Sequence, residues 1–461
     1  MKILITGATG FIGKPLCREL VRAGHQLIVL ARKPNLTRYQ IPAPHQVIEW
    51  NEHSQNVSEA DLQLIKATEA IIHLAGESIA QERWSEKYQE KILNSRVKGV
   101  ESLLSLLKAA GHSGPQVFIS ASGVGYYGDQ GDQILSEDSP VGSDFLAQVC
   151  QKWEGALFEA PLQETRKVAL RFGIVLGRGG GALEKMIPPF LSGVGATLGS
   201  GKQWVSWIHL DDLIEVILQS LNDPRYFGAV NTCAPQSVTQ KEFTHTLGQV
   251  LNQWSFLKAP SPVLRMVIGP FAQTLLSSQR VTPKKLMALG FVFKHAELKP
   301  ALTDILGDSY AQGHSEFLAS CWIPKPIDEV FEFFSLAENL EKITPPWLNF
   351  KIIKQSTPTI EQGTCIDYQL KLHGLPIKWR TEISNWRPPF EFTDTQLKGP
   401  YHLWQHTHSF SDLAGGTLME DRVLYELPLG ALGRITAGSF VLKDVRAIFD
   451  FRQKQIFELL T

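Results

Sequence analysis

The amino-acid sequence predicts an α/β fold for residues 1–310, a doubly wound parallel sheet with a small cap, followed by a smaller α+β domain. Short β-branched runs alternate with amphipathic segments in the first part of the chain, and a glycine-rich turn joins the first run to the first amphipathic segment. After residue 316 an alternation of period two replaces this pattern. Strands separated by helical stretches indicate parallel pairing through right-handed crossovers.

The apolar runs of the first domain predict its strands in order. KILIT begins at residue 2, and QLIVLA, AIIHLAG, QVFISAS and VALRFGIVLG follow it. Amphipathic segments at residues 11–23 and 84–110 lie between these runs, and a further helix begins near Asp211. Prolines punctuate shorter helical pieces at about residues 228–307, which predicts a cap on the same domain.

Residues 317–461 are expected to form a second domain. Apolar and polar residues alternate in four segments, the pattern of half-buried antiparallel strands: 364–372, 379–386, 403–410 and 418–427. The chain ends in an amphipathic segment at roughly residues 439–460, about 33 Å long as a helix. The expected architecture is an antiparallel sheet packed on one terminal helix.

The composition argues against several classes of function. Of 461 residues, 43% are hydrophobic, and 45 Lys and Arg balance 46 Asp and Glu. The resulting net charge of -1 offers no general attraction for nucleic acid or an anionic membrane. The sequence contains no apolar run long enough to span a bilayer, and its five Cys form no C-x-x-C pair. We therefore expect a cytoplasmic protein with a small-molecule substrate, no nucleic-acid partner and no membrane span.

A glycine-rich turn follows the first strand. Gly7 permits a sharp turn, Gly10 lets the backbone approach a pyrophosphate, and Gly13 lets the next helix pack against the strand with its amino end toward the phosphates. After the second strand, Arg32 stands where an acidic residue would hold the ribose of NAD, and a guanidinium suits a 2′-phosphate instead. The expected cofactor is NADP(H). Two alternatives remain open. The glycine turn could bind no nucleotide, and Arg32 could be a solvated loop residue that contacts no phosphate.

These residues resemble the extended branch of the short-chain dehydrogenase/reductase superfamily. Further segments resemble its atypical epimerase family proteins, with their C-terminal DUF1731-like segment, over about residues 1–307. These segments are HLAGESIAQERW (73–84), ILNSR (92–96), ISASGVGYYG (119–128), FLAQVCQKWE (145–154), LRFGIVLGRGGGAL (170–183), GSGKQWVSWIHLDDL (199–213) and RVTPKKLMALGF (280–291).

The resemblance implies which residues bind the cofactor. The pyrophosphate is expected at Gly7, Thr9, Gly10, Phe11, Ile12 and Gly13, the 2′-phosphate at Arg32, and the adenosine side at Ala75 and Gly76.

The resemblance also implies a Tyr acid/base, a Lys four residues later and a Ser that polarises the substrate oxygen. Ser122 matches the Ser, but Leu146 and Cys150 occupy the expected Tyr and Lys positions, where they cannot supply a proton donor and a permanent charge. Tyr126 and Tyr127 follow the strand that carries Ser122 and are the proposed catalytic substitutes. The alternative is that they line a pocket wall.

Three basic residues are expected to bind substrate. Arg171 closes a strand and would clamp an anion, and Lys185 lies near a glycine-rich loop where it would contact phosphate. Each is equally explained as a surface charge. His209 is either a base oriented by Asp211 and Asp212 or part of a capped helix start.

Residues 317–461 resemble the SRPBCC (START/Bet v1-like) helix-grip superfamily, and this resemblance implies an apolar ligand in the cavity of the domain. His402, His406 and His408 share one face of a predicted strand, which suggests a metal site or a hydrogen-bonded lining. Residues two apart in a strand are about 7 Å apart, and the sequence places no carboxylate beside them. We therefore expect no metal.

The sequence thus predicts an NAD(P)-dependent epimerase/dehydratase-like oxidoreductase acting on an unknown small or apolar substrate. The alternative is a non-catalytic NADP(H)-binding sensor coupled to an apolar-ligand-binding domain. The absent Tyr-x-x-x-Lys pair supports the sensor, and the intact glycine turn supports both.

Overall fold

The backbone contacts divide the chain into two compact units. A computed structural model describes residues 1–50 and 57–461. One unit contains residues 1–34 and 45–307, and the other contains residues 35–44 and 308–461.

The strands and helices are numbered in chain order. The strands before residue 300 are β1 (Lys2–Thr6), β2 (Gln26–Ala31), β3 (Gln46–Glu49), β4 (Ala70–His73), β5 (Val117–Gly123), β6 (Ile134–Leu135), β7 (Arg166–Phe172), β8 (Ile174–Leu176), β9 (Ala196–Leu198), β10 (Trp204–Val205), β11 (Trp207–His209), β12 (Gly228–Thr232), β13 (Val238–Thr239), β14 (Leu257–Ala259) and β15 (Arg280–Val281). The helices that begin before residue 300 are α1 (Gly13–Arg22), α2 (Pro34–Gln40), α3 (Glu59–Lys66), α4 (Glu86–Ala109), α5 (Phe145–Phe158), α6 (Gly181–Leu191), α7 (Leu210–Asn222), α8 (Gln240–Val250), α9 (Ser261–Ile268), α10 (Ala272–Leu276), α11 (Lys284–Ala288) and α12 (Leu298–Ala311).

Within the described residues, the first unit is built on a seven-stranded parallel sheet in the order β12-β7-β5-β4-β1-β2-β3. Ile3, Leu4 and Ile5 of β1 are all completely buried, because a parallel strand covered on both faces is apolar throughout rather than alternating. The strand order reverses between β1 and β4. In doubly wound sheets the loops after such strands open a crevice at the carboxyl edge. The predicted parallel sheet is confirmed.

Two segments of this unit differ from the prediction. VALRFGIVLG breaks at Gly173, where a Cβ would lie 2.9 Å from the Ser206 backbone oxygen, and β8 pairs with β11 in a separate small sheet. Gly228–Thr232, predicted as the start of the cap, is β12 at the edge of the central sheet. The short run GAVNT has too few apolar residues to indicate a strand.

The second unit contains an antiparallel sheet and a long terminal helix. Its strands are β16 (Ser315–Ile323), β17 (Lys351–Gln355), β18 (Cys365–Leu372), β19 (Leu375–Arg387), β20 (Glu391–Lys398), β21 (Leu403–Leu413) and β22 (Gly416–Glu426), and its helices are α13 (Ile327–Phe334), α14 (Ala337–Ile343) and α15 (Ala431–Leu460). In the part of the chain that the structure describes, the sheet order is β16-β22-β21-β20-β19-β18-β17.

The predicted antiparallel sheet and terminal helix are therefore present. Helix α15 begins at Ala431, before the predicted residue 439. The prediction began too late because Gly433 and Gly438 in the first turns of the helix are residues typical of loops. Val445 and Phe449 of this helix pack with Val423 and Tyr425 of β22. Among the described helices, none is long and apolar enough to cross a membrane.

Candidate functional site

The turn between β1 and α1 forms a cradle of backbone atoms. Gly7 has a φ of +75°, and a Cβ there would lie 2.8 Å from the Leu74 backbone carbon. A Cβ on Gly13 would lie 2.2 Å from the Gly7 backbone oxygen. Thr9 and Gly10 are exposed, and the first turn of α1 receives no capping hydrogen bond from its described N-cap residue, Ile12. A helix start of this kind can hold an anion through its N–H groups.

Phe11 explains a second glycine cluster. A Cβ on Gly177, Gly180 or Gly181 would lie 3.0, 2.6 or 2.7 Å from atoms of the Phe11 ring. A side chain at any of these three positions would therefore overlap the Phe11 ring. This contact links the nucleotide-type turn to the segment that leads into α6.

The end of β4 lies beside the glycine turn, at the carboxyl edge of the sheet. The hydroxyl of Thr6 accepts a hydrogen bond from the Ala75 N–H at 3.2 Å and pairs with Nδ1 of His73 at 2.7 Å. Burial, followed by the charge of Arg96, lowers the pKa of His73 to about 4, so its imidazole is neutral. A Cβ on Gly76 would lie 3.4 Å from the Arg96 guanidinium carbon.

Arg32 follows β2, the strand next to β1 in the central sheet. The residue is exposed at the carboxyl edge of the sheet. This position suits a ligand phosphate in the crevice and equally suits a solvated side chain, the two alternatives that the sequence left open.

Ser122 belongs to a buried polar network. Its hydroxyl donates to Glu154 Oε1 at 2.7 Å. Arg171 donates to the same carboxylate through Nε at 2.8 Å and through a second nitrogen at 2.7 Å. Burial favours a lower pKa for Arg171, but the hydrogen bonds and charge of Glu154 outweigh it and raise that pKa, which keeps the guanidinium charged.

The two predicted tyrosines meet this network from the 3₁₀ helix Val124–Tyr127. The hydroxyl of Tyr127 accepts from Arg171 at 2.8 Å and donates to the Asn231 side-chain oxygen at 2.7 Å. Tyr127 is completely buried, and burial raises its pKa to about 12 despite the opposing charge of Arg171. Tyr126 is half-buried, with the Arg171 guanidinium 3.5 Å from its ring centre. The fold thus unites Ser122, both tyrosines and Arg171.

Helix α5 presents Leu146 and Cys150 at the positions where the superfamily resemblance implies Tyr and Lys. A Cβ on Gly125 would lie 3.4 Å from the Leu146 Cβ, so this face of the helix packs on the loop that carries the tyrosines. Burial, with a contribution from Glu154, raises the pKa of the Cys150 thiol to about 11. The thiol is therefore neutral, and these two positions provide neither an acid/base nor a cation.

Sequence reasoning missed Arg96, a half-buried cation near Cys150. Arg96 donates to the Ile92 carbonyl at 2.9 Å and stacks over Trp153 at 5.1 Å from the ring centre. Its charge lowers the pKa of the Cys150 thiol, against the larger effect of burial. The only available signal was the position of Arg96 in ILNSR, a segment quoted for the resemblance without a role for its arginine.

Lys185 and His209 lie in other environments. The Lys185 ammonium is exposed and donates to the Ala80 carbonyl. His209 is the N-cap of α7, and its Nδ1 accepts from the Asp211 N–H at 3.1 Å while its ring stacks on His295 at 3.7 Å. Burial, followed by the charge of His295, lowers the pKa of His209 to about 4. Both residues remain predicted substrate ligands.

Comparisons with known proteins agree with this arrangement. The model of the NAD dependent epimerase/dehydratase family matches residues 3–231, and that of a domain of unknown function (DUF1731) matches residues 259–305. The chain is 37% identical over 310 residues to the chloroplastic epimerase family protein SDR39U1 homolog of Arabidopsis thaliana, covering 66% of this chain and 87% of that protein. It is 37% identical over 310 residues to epimerase family protein SDR39U1 of Mus musculus, covering 66% of this chain and all of the mouse protein.

A crystal structure of human epimerase family protein SDR39U1 (isoform 2) with NADPH is also similar to this chain. The superposition has a TM-score of 0.57 with 34% identity, and it covers 66% of this chain and 99% of the human chain. The residues matched by the family model, 3–231, include the glycine cradle and the buried network. On these grounds the chain belongs to the NAD dependent epimerase/dehydratase family, within the epimerase family proteins that carry a DUF1731 segment.

Proposed function

We propose that the first unit is an NADP(H)-dependent oxidoreductase of the epimerase/dehydratase type, acting on a small or apolar substrate. The observation that carries this proposal is the backbone cradle at Gly7 and Gly13, which side chains would fill. The solved human relative with NADPH supports the choice of cofactor. Gly7, Thr9, Gly10, Phe11, Ile12 and Gly13 would hold the pyrophosphate, Arg32 the 2′-phosphate, and Ala75 and Gly76 the adenosine side.

NADP(H), when bound, supplies hydride-transfer chemistry, and the protein must position the substrate and move a proton. We assign the proton to the Tyr126 hydroxyl. Tyr126 is half-buried, and the charged guanidinium of Arg171 packs against the face of its ring. Tyr127 and Glu154 hold Arg171 in place, and Ser122 contributes to the same network.

The cofactor assignment is tested by the variant Arg32→Asp. Loss of the guanidinium and introduction of a repelling carboxylate should weaken NADPH binding at least tenfold more than NADH binding, because only NADPH carries the 2′-phosphate. Titration calorimetry with the two cofactors measures this ratio. Arg38→Asp changes the charge equally at another exposed site and serves as the control. Equal losses for both cofactors in the Arg32 variant would refute the assignment.

The proton-transfer assignment is tested by Tyr126→Phe. We expect turnover to fall by about 10²–10⁴-fold while NADPH affinity is kept, since the ring and its contact with Arg171 remain. NADPH oxidation with a panel of apolar aldehydes and ketones provides the assay. Tyr127→Phe should cost less turnover because its buried hydroxyl orients Arg171. Unchanged turnover in the Tyr126 variant would exclude this residue as the proton donor.

We further propose that the second unit is a helix-grip domain that binds an apolar ligand. Its sheet and helix α15 enclose a cavity of about 190 Å³, lined largely by apolar side chains that include Phe334, Ile343, Ile366, Trp379 and Ile448. A concave apolar site with a few polar groups is the usual form of a small-molecule site. Analysis of small molecules released on denaturing the freshly purified full chain tests this proposal, and recovery of no apolar compound would count against it.

Two observations favour the sensor as the second candidate function. Leu146 and Cys150 remove the conventional acid/base pair, and Tyr127 is completely buried. A sensor binds NADPH without turnover of any substrate, and its Tyr126→Phe variant behaves as the wild type. Any oxidation of NADPH that depends on both an added substrate and Tyr126 would exclude this candidate.

A further inference from the structure

Four titratable side chains meet on one face of the second sheet. Asp394 of β20 lies directly opposite His406 of β21, and Asp421 of β22 lies directly opposite His408 of β21. Both histidines and Asp421 are buried, and Asp394 is partly buried. Because residues 406 and 408 are two apart in one strand, their side chains share a face, and the register brings one carboxylate to each from the neighbouring strands.

The atoms of three of these residues converge on one point. Oδ2 of Asp394 lies 3.5 Å from Nδ1 of His406 and 3.5 Å from Nε2 of His408. One ligand atom from each residue lies within 4.8 Å of the others. Atoms bound to one ion at about 2.0–2.2 Å are separated by about 3.0–3.6 Å, and both distances from Asp394 Oδ2 fall in this range.

We propose that Asp394, His406 and His408 bind one divalent transition-metal ion. Two imidazoles and one carboxylate form a ligand set typical of Zn²⁺ and of non-haem Fe²⁺. All three residues line the apolar cavity, so the remaining coordination positions face the space where a ligand would lie. The site belongs to the second unit and does not depend on the function proposed for the first.

The contacts of Asp394 Oδ2 with the two histidines are longer than those that Asp421 makes with them. Hydrogen bonds between a ring nitrogen and a carboxylate have lengths of about 2.7–3.2 Å, and both contacts of Asp394 Oδ2 are longer. They are also too short for a bridging water molecule, since two hydrogen bonds of about 2.8 Å that meet at one water oxygen separate the partners by about 4.5 Å. The other oxygen of Asp394 accepts from the Thr381 hydroxyl at 3.3 Å, so Oδ2 is the oxygen that faces the histidines.

Asp421 supports the two imidazoles from behind. Its Oδ1 lies 2.9 Å from Nε2 of His406 and 2.8 Å from Nδ1 of His408, the nitrogens that do not face Asp394. A carboxylate on the second ring nitrogen is the usual partner of a metal-binding histidine, because it fixes the tautomer and the ring orientation. Asp421 makes this hydrogen bond to His406, and its carboxylate also lies beside Nδ1 of His408.

The charges of the cavity also favour a cation. Asp394 in the cavity wall and Asp421 behind the imidazoles bring two negative charges, and Arg452 in the cavity wall offsets one of them. The two carboxylates and this guanidinium together leave one negative charge, which a divalent ion would reverse. The sequence led us to expect no metal because it places no carboxylate beside the histidines. Strands β20 and β22 supply two.

The test uses the full-length chain. The protein is treated with chelator and titrated with Zn²⁺, and separately with Fe²⁺ without oxygen, and we expect one equivalent to bind. Asp394→Asn and His406→Gln should each weaken binding at least a hundredfold, and Asp421→Asn about tenfold to a hundredfold. His402→Gln is the matched control, because His402 lies just before the same strand, is exposed and pairs with Glu426 at 2.7 Å.

A second measurement needs no variant. X-ray absorption of the Zn²⁺-loaded chain should show two imidazole ligands with nitrogen atoms at about 2.0–2.1 Å. No saturable binding of either ion by the wild type, a zinc spectrum without imidazole, or equal losses in the His402 and His406 variants would overturn the proposal. Release of an organic acid held by Arg452 instead of a metal would also overturn it, because the polar end of the cavity would then serve that ligand.

Discussion

Substitution of Gly13 by Ala probes the nucleotide cradle with a single methyl group. Its Cβ would lie 2.2 Å from the Gly7 backbone oxygen and 2.7 Å from the Ala8 Cα. Both obstacles are backbone atoms, so no side-chain rotation relieves the contact. The turn and the start of α1 must separate by roughly 1 Å to reach a normal contact distance.

The size of the effect follows from what this movement displaces. The N–H groups at the start of α1 are the donors expected to face the pyrophosphate. Hydrogen bonds to a charged group contribute about 1.5–3 kcal/mol each. Loss of about two of them costs about 3–6 kcal/mol, which corresponds to an increase of about 10²–10⁴-fold in the Kd for NADPH.

Titration calorimetry with NADPH measures this change, with circular dichroism to check that the variant is folded. Gly155→Ala is a matched control in α5, where the added Cβ would have its nearest neighbour at 3.9 Å. We expect the control to bind NADPH like the wild type. A folded Gly13→Ala protein with unchanged affinity would show that the turn between β1 and α1 does not hold the nucleotide.

Two further predictions concern the free energy of unfolding of the first unit, read in urea from the transition that NADPH shifts. Arg171→Met leaves the Glu154 carboxylate buried without its cation and should lower the free energy of unfolding by about 3–5 kcal/mol. The double variant Glu154→Leu with Arg171→Met should recover most of this stability. Losses that simply add in the double variant would contradict the pairing. The pKa of His73 is about 4 in the native state, and the ordinary value is 6.5. As the pH falls from 6.5 to 4, the imidazole therefore becomes protonated only in the unfolded chain. The contribution of His73 to the free energy of unfolding is therefore complete above pH 6.5 and falls by about 3 kcal/mol by pH 4. The difference in free energy of unfolding between the wild type and His73→Asn should shrink over that range. A difference that stays constant would contradict the prediction.

The sequence by itself determined the features that depend on neighbouring residues. The period of the apolar residues predicted five strands of the first sheet and four of the second, since a strand repeats every two residues or is apolar throughout when covered on both faces. It did not predict the other described strands of the two sheets, β3, β12, β16, β17 and β20. The turn at Gly7 was predictable because a positive φ and a close backbone approach require glycine at fixed positions. The contact of Gly177, Gly180 and Gly181 with the Phe11 ring was not predictable, because Phe11 lies far away in the chain.

Only the tertiary structure decided which side chains meet. Arg171 reaches Glu154 seventeen residues away, and Tyr127 reaches Asn231 across 104 residues. In the second unit, alternation placed His406 and His408 on one face, but the carboxylates come from separate strands whose register the local pattern does not specify. Strand order and register are set by the packing of the whole sheet, so a chemical site built across strands is a property of the fold rather than of any one segment.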